Sequence, residues 1–476
     1  MKRIIYWFRN DLRVHDNEGF LKATQQADEV IPVYCFDPRH FAETSLGFTK
    51  TGVFRAQFLL ESVQDLRRTL RNLDADLVVR TGKPETVLFE MAQMLDATAI
   101  YTSKEVTQEE TQIEADLTKN LKTKNVDFEQ FWSSTLYHPK DLPFWFSKLP
   151  DVFTDFRKAV ERSSKVRPTF EDPTEILYPT GVEAGRMPAI NDLIPLATVP
   201  EIDPRGVLPF KGGETEALKR LQAYIWEYDQ LKVYKETRNQ MLGADYSSKF
   251  SVWLSLGCLS PRRVYEEVKR YENERVSNDS TYWLVFELIW RDYFRFVALK
   301  FGTRIFKTPG IKNDLVTKWV RNVPLFQKWI DGTTGVPLVD ANMRELKETG
   351  FMSNRGRQNV ASFLAKDLGI DWTWGAAWFE SQLLDYDVCS NWGNWNYVAG
   401  VGNDPRENRY FNIHFQATRY DADGSYVKHW LPELEGVPAK QVHQVWTLSR
   451  ADQQRFGAIL GADYPMPIIN ANKWLK

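Results

Sequence analysis

The chain has 476 residues, 43% of them hydrophobic, which is enough for two domains with sizeable cores, and no apolar run approaches membrane-spanning length. A formal net charge of -2 argues against a protein that coats nucleic acid indiscriminately and leaves room for a local basic groove. Cys35, Cys258 and Cys389 lie too far apart in sequence for a CxxC site or a disulfide framework, and the six His show no HxH or HExxH spacing, so no metal is expected. The opening MKRIIYWFRNDLR lacks the long apolar segment and cleavage site of a secretory signal, and a cytoplasmic protein is expected.

In chain order, strand and helix alternate: strand Arg3 to Phe8, helix Asn17 to Gln26, strand Val30 to Phe36, helix Gly52 to Leu73, strand Asp76 to Arg80. Helix Glu85 to Leu95, strand Thr98 to Thr102, helix Gln108 to Leu121 and strand Phe128 to Phe131 follow. This predicts an α/β domain over residues 1–136, a doubly wound parallel sheet with helices on both faces. The first strand leads into RNDLRVHDN and not GxGxxG, and TGKP at Lys83 lacks the Gly spacing and hydroxyl of a P-loop. Residues 139 to 209 hold eleven of the twenty-three Pro, which marks a connector, taken as 137–213, with one helix near Val152 to Arg162. From Glu214 onward helical periodicity takes over, and 214–476 is expected to be an all-helical domain with no repeats.

Three stretches of that domain carry chemistry. Tyr246-Ser-Ser-Lys-Phe-Ser251 is a hydroxyl-rich turn before the apolar run VWLSLG, and its Ser247, Ser248, Lys249, Phe250 and Ser251 suit an anion cradle for a diphosphate. FELIWRDYFRF sets Glu287, Trp290 and Arg291 within one helical turn, with Glu287 and Arg291 spaced as a helix ion pair. Met352 to Gly400 interleaves five Trp with Arg355, Arg357, Asp385 and Asp387, a mixture suited to stacking on a flat aromatic group and reading its polar edges. Helices are expected from Asn359 to Leu368 and from Trp374 to Leu384. The turn-forming residues of DYDVCSNWGN predict an irregular segment from Asp385.

MRELKETGFMSNRGRQ, FLAKDLGIDW, LLDYDVCSNWGNW and KHWLPEL, with YWFRNDLRVHDN near the start and STLYHPKDLPF and LPDVFTDFRK between, resemble the photolyase and cryptochrome superfamily, most closely its DASH-type cryptochromes. The resemblance implies FAD, held by Tyr234, the Ser247–Ser251 turn, Arg291, Arg357, Asp385 and Asp387, with Asn391 at the redox-active ring nitrogen. It implies electron passage through Trp395, Trp372 and Trp319, and an antenna pigment, 5,10-methenyltetrahydrofolate, met by Glu105. Without the resemblance, Glu105 reads equally well as a solvated acid at a helix start.

For the substrate, the resemblance implies DNA contacts by Arg238, Asn354, Arg355 and Gln416, with Glu287 and Trp290 against the lesion bases. Gln358 and Tyr397 stand where ordinary dimer photolyases have Met and Trp, exchanges typical of DASH-type proteins. A pocket re-polarised in this way should grip a flipped dimer less well, and flipping costs little in a single strand. The expected function is blue-light-dependent splitting of cyclobutane pyrimidine dimers in single-stranded or looped DNA by a monomeric flavoprotein, a deoxyribodipyrimidine photo-lyase. The alternative is a signalling photoreceptor without repair. The lack of a long disordered extension after Pro432 weighs against it, and no His pair supports a six-four enzyme.

Overall fold

The first strand, RIIYWF, carries apolar side chains on both faces, a pattern that needs cover on both sides. In the computed structural model, which describes residues 1–406 and 409–475, it gets that cover. β1 (Arg3–Phe8), β2 (Glu29–Phe36), β3 (Val78–Thr81), β4 (Ala99–Ser103) and β5 (Asp127–Phe131) form one sheet in the order β3-β2-β1-β4-β5. Every pairing is parallel, so each connection must cross over. The crossovers are α1 (Glu18–Gln26), α2 (Val53–Arg71), α3 (Pro84–Met94) and α4 (Gln108–Lys122). Ile4, Tyr6 and Phe8 share a core with Phe20 of α1 and Phe58 of α2, while Ile5 and Trp7 pack with Leu88 of α3 and Leu117 of α4. The doubly wound α/β expectation therefore holds, with small shifts at element ends. Asn17 and Gly52 are N-caps and not first helical residues. β3 starts at Val78 and not Asp76, because the Asp76 carboxylate is bound by Arg67 at 2.7 Å and by its neighbour Leu77 N at 2.8 Å.

The proline-rich stretch contributes α5 (Phe153–Ser163) and α6 (Ile190–Leu193). Helices then follow: α7 (Glu214–Gln222), α8 (Tyr234–Thr237), α9 (Ser251–Ser255), α10 (Pro261–Glu274) and the long α11 (Asp279–Phe301). After them come α12 (Val323–Ile330), α13 (Pro337–Thr349), α14 (Asn354–Ser362), α15 (Trp372–Gln382), α16 (Val388–Ala399) and α17 (Ile413–Tyr420). No helix among the described residues is long and apolar enough to cross a membrane.

RNDLRVHDN, which replaces the usual dinucleotide loop, is a seam between the two halves. The Asp16 carboxylate takes Arg262 at 2.5 Å, and Glu214 accepts from Val14 N, His15 N and the His15 ring. Arg13 donates to Gly257 O at 2.8 Å. Gly257 has φ +65° and a Cβ there would sit 2.1 Å from Asn10 O, so only glycine allows this approach. On the far side, Asp292 accepts from Leu136 N and Tyr137 N at 2.9 and 2.8 Å.

Buried carboxyls make stability depend on pH in two directions. Burial pushes Asp292 and Glu345 up to about 7, and Asp340 and Asp421 up to about 6. A raised folded pKa favours the fold fully below the unfolded value of about 4, and that contribution is lost as pH climbs through the folded value. Burial opposes ionisation of Glu214 and Glu114 too, but His15 in one case and Arg9 with Lys104 in the other hold them below the ordinary range. Their contribution is present above about pH 4 and is lost as pH falls through the folded value. The thermal midpoint is therefore expected to peak near pH 5, decline toward pH 8 and collapse below about pH 4. Calorimetry across that range checks it, and a midpoint that climbs steadily from pH 5 to 8 contradicts it.

Candidate active site

The Tyr246–Ser251 turn closes one end of a cavity of about 470 Å³ in the helical half. Lys249 takes φ +62°, a conformation uncommon for a residue with a side chain, and the turn is held from behind. Arg220 donates to Ser248 O at 3.0 Å and to Ser247 O at 3.3 Å while pairing with Asp245. This leaves Ser247, Ser248, Lys249, Phe250 and Ser251 lining the cavity, together with Tyr234. The Lys249 ammonium donates to Ser247 Oγ and lies 2.9 Å from the Tyr246 ring centroid. Burial pushes it well below the usual lysine range, with Glu345 pulling the other way, and an anion brought to the turn would favour its charged form.

Beyond the turn stand Arg357 and Asp385, joined twice at 2.9 and 3.0 Å. The shorter approach lacks hydrogen-bond geometry, so among the described residues Asp385 Oδ1 is buried without a hydrogen-bond donor and the Tyr246 hydroxyl without a partner. A basic hydroxyl-rich turn, an orphaned carboxylate oxygen and aromatic walls fit a diphosphate continued by a ring with N–H groups on its edge. The irregular segment expected from Asp385 is confined to its first residues. Asp387 accepts from Ser390 N at 2.7 Å and caps α16, so from Val388 the chain is helical. Burial opposes ionisation of Asp387, but Arg291 and Arg295 hold it below the ordinary range.

On α16 the Asn391 amide donates to Ala376 O at 3.0 Å, and Asn394, not Asn391, is among the residues lining the cavity. Trp395, Trp372 and Trp319 do not line it either. Trp395 is buried edge-on to Phe379, against Gly375, where a Cβ would meet its ring at 2.2 Å. Trp372 is fully buried and in edge contact with Trp392, with ring centroids 5.9 Å apart. Trp319 is half-buried and is brought beside the start of α15 by the bonds between Val320 and Gly369 and between Asp371 and Val320.

At the other end of the cavity the expected helix pair does not form. Glu287 reaches Arg238 of the neighbouring chain turn at 2.7 Å, and Arg291 points to the Ser134 and Leu254 carbonyls and lies 3.8 Å from Asp387. Burial pushes the Glu287 carboxyl up and Arg238 draws it back. Trp290, Asn354, Arg355, Gln358 and Tyr397 complete this end, with the Tyr397 ring edge-on to Trp290 at 5.9 Å. Arg355 donates to Gln358 at 2.8 Å and to Asn239 at 2.9 Å, and Gln416 of α17, outside the lining, is 3.5 Å from it. Arg409, missed in the sequence reading, also lines the cavity, clasped by Asp404 and 5.0 Å from the Tyr397 ring centroid. Its place in RYFN after an acidic loop gave no periodic signal to find it by.

A second cavity of about 390 Å³ opens between the sheet's α/β half and α11 and α16. Glu105 is on its wall but is no solvated acid. It is buried and paired with Arg295 at 2.5 Å, while Arg295 Nε has no partner among the described residues. Ser255, Arg291 and Asp387 line both cavities.

A parallel five-stranded sheet joined to a helical half that holds this cavity defines a protein of the photolyase fold with an FAD-binding domain. Residues 4–175 match the family DNA photolyase and residues 283–476 match the FAD binding domain of DNA photolyase. The chain is 55% identical to the Cryptochrome DASH of Gloeobacter violaceus, over 98% of this chain and 93% of that one, and 52% identical to that of Xenopus laevis, over 99% and 91%. A solved cryptochrome of Synechocystis sp. superposes with a TM-score of 0.96 at 53% identity, covering 100% of this chain and 98% of that one. A class III photolyase from Agrobacterium tumefaciens gives 0.86 at 28% identity, covering 100% and 95%. The chain belongs to the cryptochrome DASH branch of the photolyase and cryptochrome family.

Proposed function

We propose that the protein splits cyclobutane pyrimidine dimers in single-stranded or looped DNA under blue light, as a DASH-type photo-lyase. The observation that carries this reading is a single cavity that joins the Ser247–Ser251 cradle and the Asp385–Arg357 pair to Glu287, Trp290, Gln358 and Tyr397. Reduced FAD, when bound, supplies the light-driven electron that opens the cyclobutane ring and takes it back afterwards. The cradle and Lys249 would hold its diphosphate, and Asp385 Oδ1 would be free to accept from an N–H of its ring. Glu287, anchored by Arg238, hydrogen-bonds the lesion bases, Trp290 packs on them, and Arg355 with Asn354 and Gln416 holds the strand. Trp395, Trp372 and Trp319 return electrons to the site from the surface; the burial of Trp395 and Trp372 and the partial exposure of Trp319 support a path that ends at the surface with Trp319. The second cavity is the proposed antenna site. Its buried Glu105 and half-buried Glu110, the latter pushed up by desolvation and by Glu105, suit the N–H edge of a pterin such as 5,10-methenyltetrahydrofolate.

Gln358 and Tyr397 give the pocket polar walls, which favour a base already unstacked over one that must be flipped from a duplex. Dimer content in matched single-stranded and duplex oligonucleotides after blue light, with reduced flavin and a dark control, tests the proposal. Loss confined to the single strand is expected. Equal loss from both makes it a general photolyase, and no loss from either makes it a photoreceptor.

A further inference from the structure

The proline-rich stretch behaves as more than a connector where α5 begins. Phe153, its first residue, is inserted into the aromatic face of α11. Its ring stacks on Trp290 with centroids 3.5 Å apart and planes 10° off parallel, and meets Phe286 and Tyr293 edge-on at 5.2 and 5.6 Å. Phe286, Trp290 and Tyr293 follow one another along one side of α11, so a single side chain from outside the helical half fixes that side.

Polar bonds keep α5 in this register. Arg157 donates to Tyr282 at 2.8 Å and to Glu161 at 2.8 Å, Tyr282 donates to Glu161 at 2.7 Å, and Lys300 reaches Asp151 at 2.6 Å. Trp290 is thereby covered on one face by Phe153, with Phe294 also stacked on it at 5.5 Å and Tyr397 at its edge, while the ring remains part of the cavity wall. Phe153 itself is 5% exposed and is not part of that wall.

We propose that Phe153 is a positioning residue for lesion recognition: it holds the Trp290 indole in the one orientation that presents its cavity-lining part to a pyrimidine dimer. This rests on the reading of Trp290 as the ring that packs on the lesion. An indole frozen before binding gives up no rotamer freedom when the bases arrive, whereas a loose one must be ordered at that moment. The benefit goes to a rigid, specifically shaped lesion, since ordinary single-stranded bases stack on an indole in many orientations.

The test is dark binding of the FAD-loaded full chain to a single-stranded oligonucleotide with one thymine dimer and to its undamaged twin. Phe153→Leu is expected to weaken dimer binding by roughly threefold to tenfold and leave the undamaged strand unchanged. It should raise KM for splitting without lowering kcat, and Phe153→Tyr should restore the wild-type ratio. Phe156→Leu, on the same helix and without a Trp290 contact, should leave the ratio unmoved, and in a Trp290→Ala background Phe153→Leu should add nothing. Should Phe153→Leu fail to fold, Phe153→Met carries the same comparison. An unchanged ratio in Phe153→Leu, or an equal shift in Phe156→Leu, overturns the proposal. Unchanged dimer binding in Trp290→Ala overturns instead the reading on which it rests.

Discussion

Replacing Glu287 by alanine is expected to lower dimer splitting about tenfold to a hundredfold at limiting DNA, the range for losing a hydrogen bond to a charged group, with bound flavin undiminished. The reason is its position. Glu287 is on α11 one turn before Arg291, yet its carboxylate turns to Arg238 at 2.7 Å and faces the cavity beside Trp290. Both partners keep some exposure, so the ion pair by itself contributes little to the fold and the variant should remain folded. What disappears is the one carboxylate that, among the described residues, lines the lesion end of the cavity, the group able to accept from the N–H of a pyrimidine held against Trp290. Glu287→Gln keeps a carbonyl oxygen in place and should recover part of the loss. The initial rate of dimer loss per light dose, at DNA well below saturation, is the measurement. An alanine variant that repairs like the wild type removes Glu287 from the lesion site.

The sheet was legible because its signal is local. Each strand of the α/β half is a short apolar run and each crossover an amphipathic one, so elements from Arg3 to Phe131 could be placed within a residue or two. The helical half was legible in kind, and the cradle and the two Asp could be picked out by residue type. Failures came where a distant partner decides. Of the two readings of Glu105, an antenna contact and a solvated acid at a helix start, the second fails because Arg295, 190 residues on, takes its carboxylate. Glu287 and Arg291 have ideal spacing for one another, but Arg238, Ser134 and Leu254 compete successfully for them. DYDVCSNWGN reads as a loop by composition, and its Asp387 is instead the cap that starts α16. Glu105, Glu287 and Arg291 are bonded through long-range contacts, whose partners no local pattern encodes, whereas Asp387 caps its own helix locally through Ser390 N.

Replacing Asp385 by alanine is expected to cost the protein its flavin, by about a hundredfold in affinity if a buried pair at the lower end of the usual range, near 3 kcal/mol, is broken. The Asp385 side chain is 3% exposed and Arg357 is 24% exposed, which is why the lower end applies. Two losses coincide in this variant. Arg357, still tied to Met352 O at 2.9 Å, is left with an unpaired charge at the cavity wall. Asp385 Oδ1, the orphaned acceptor, is no longer there to meet a ring N–H. Asp385→Asn keeps the shape and one oxygen but gives up the charge that holds Arg357, so it should fall between, nearer tenfold. Flavin absorbance per chain after gel filtration, with a fluorescence titration of the stripped protein, reads both variants. Melting curves separate weak cofactor binding from loss of fold. An alanine variant that retains one flavin per chain through dialysis would show that the cavity holds its ring by the aromatic walls and the cradle alone. With Glu287→Ala keeping flavin and losing repair, and Asp385→Ala losing flavin first, the two variants divide the cavity into the end that holds the cofactor and the end that reads the lesion.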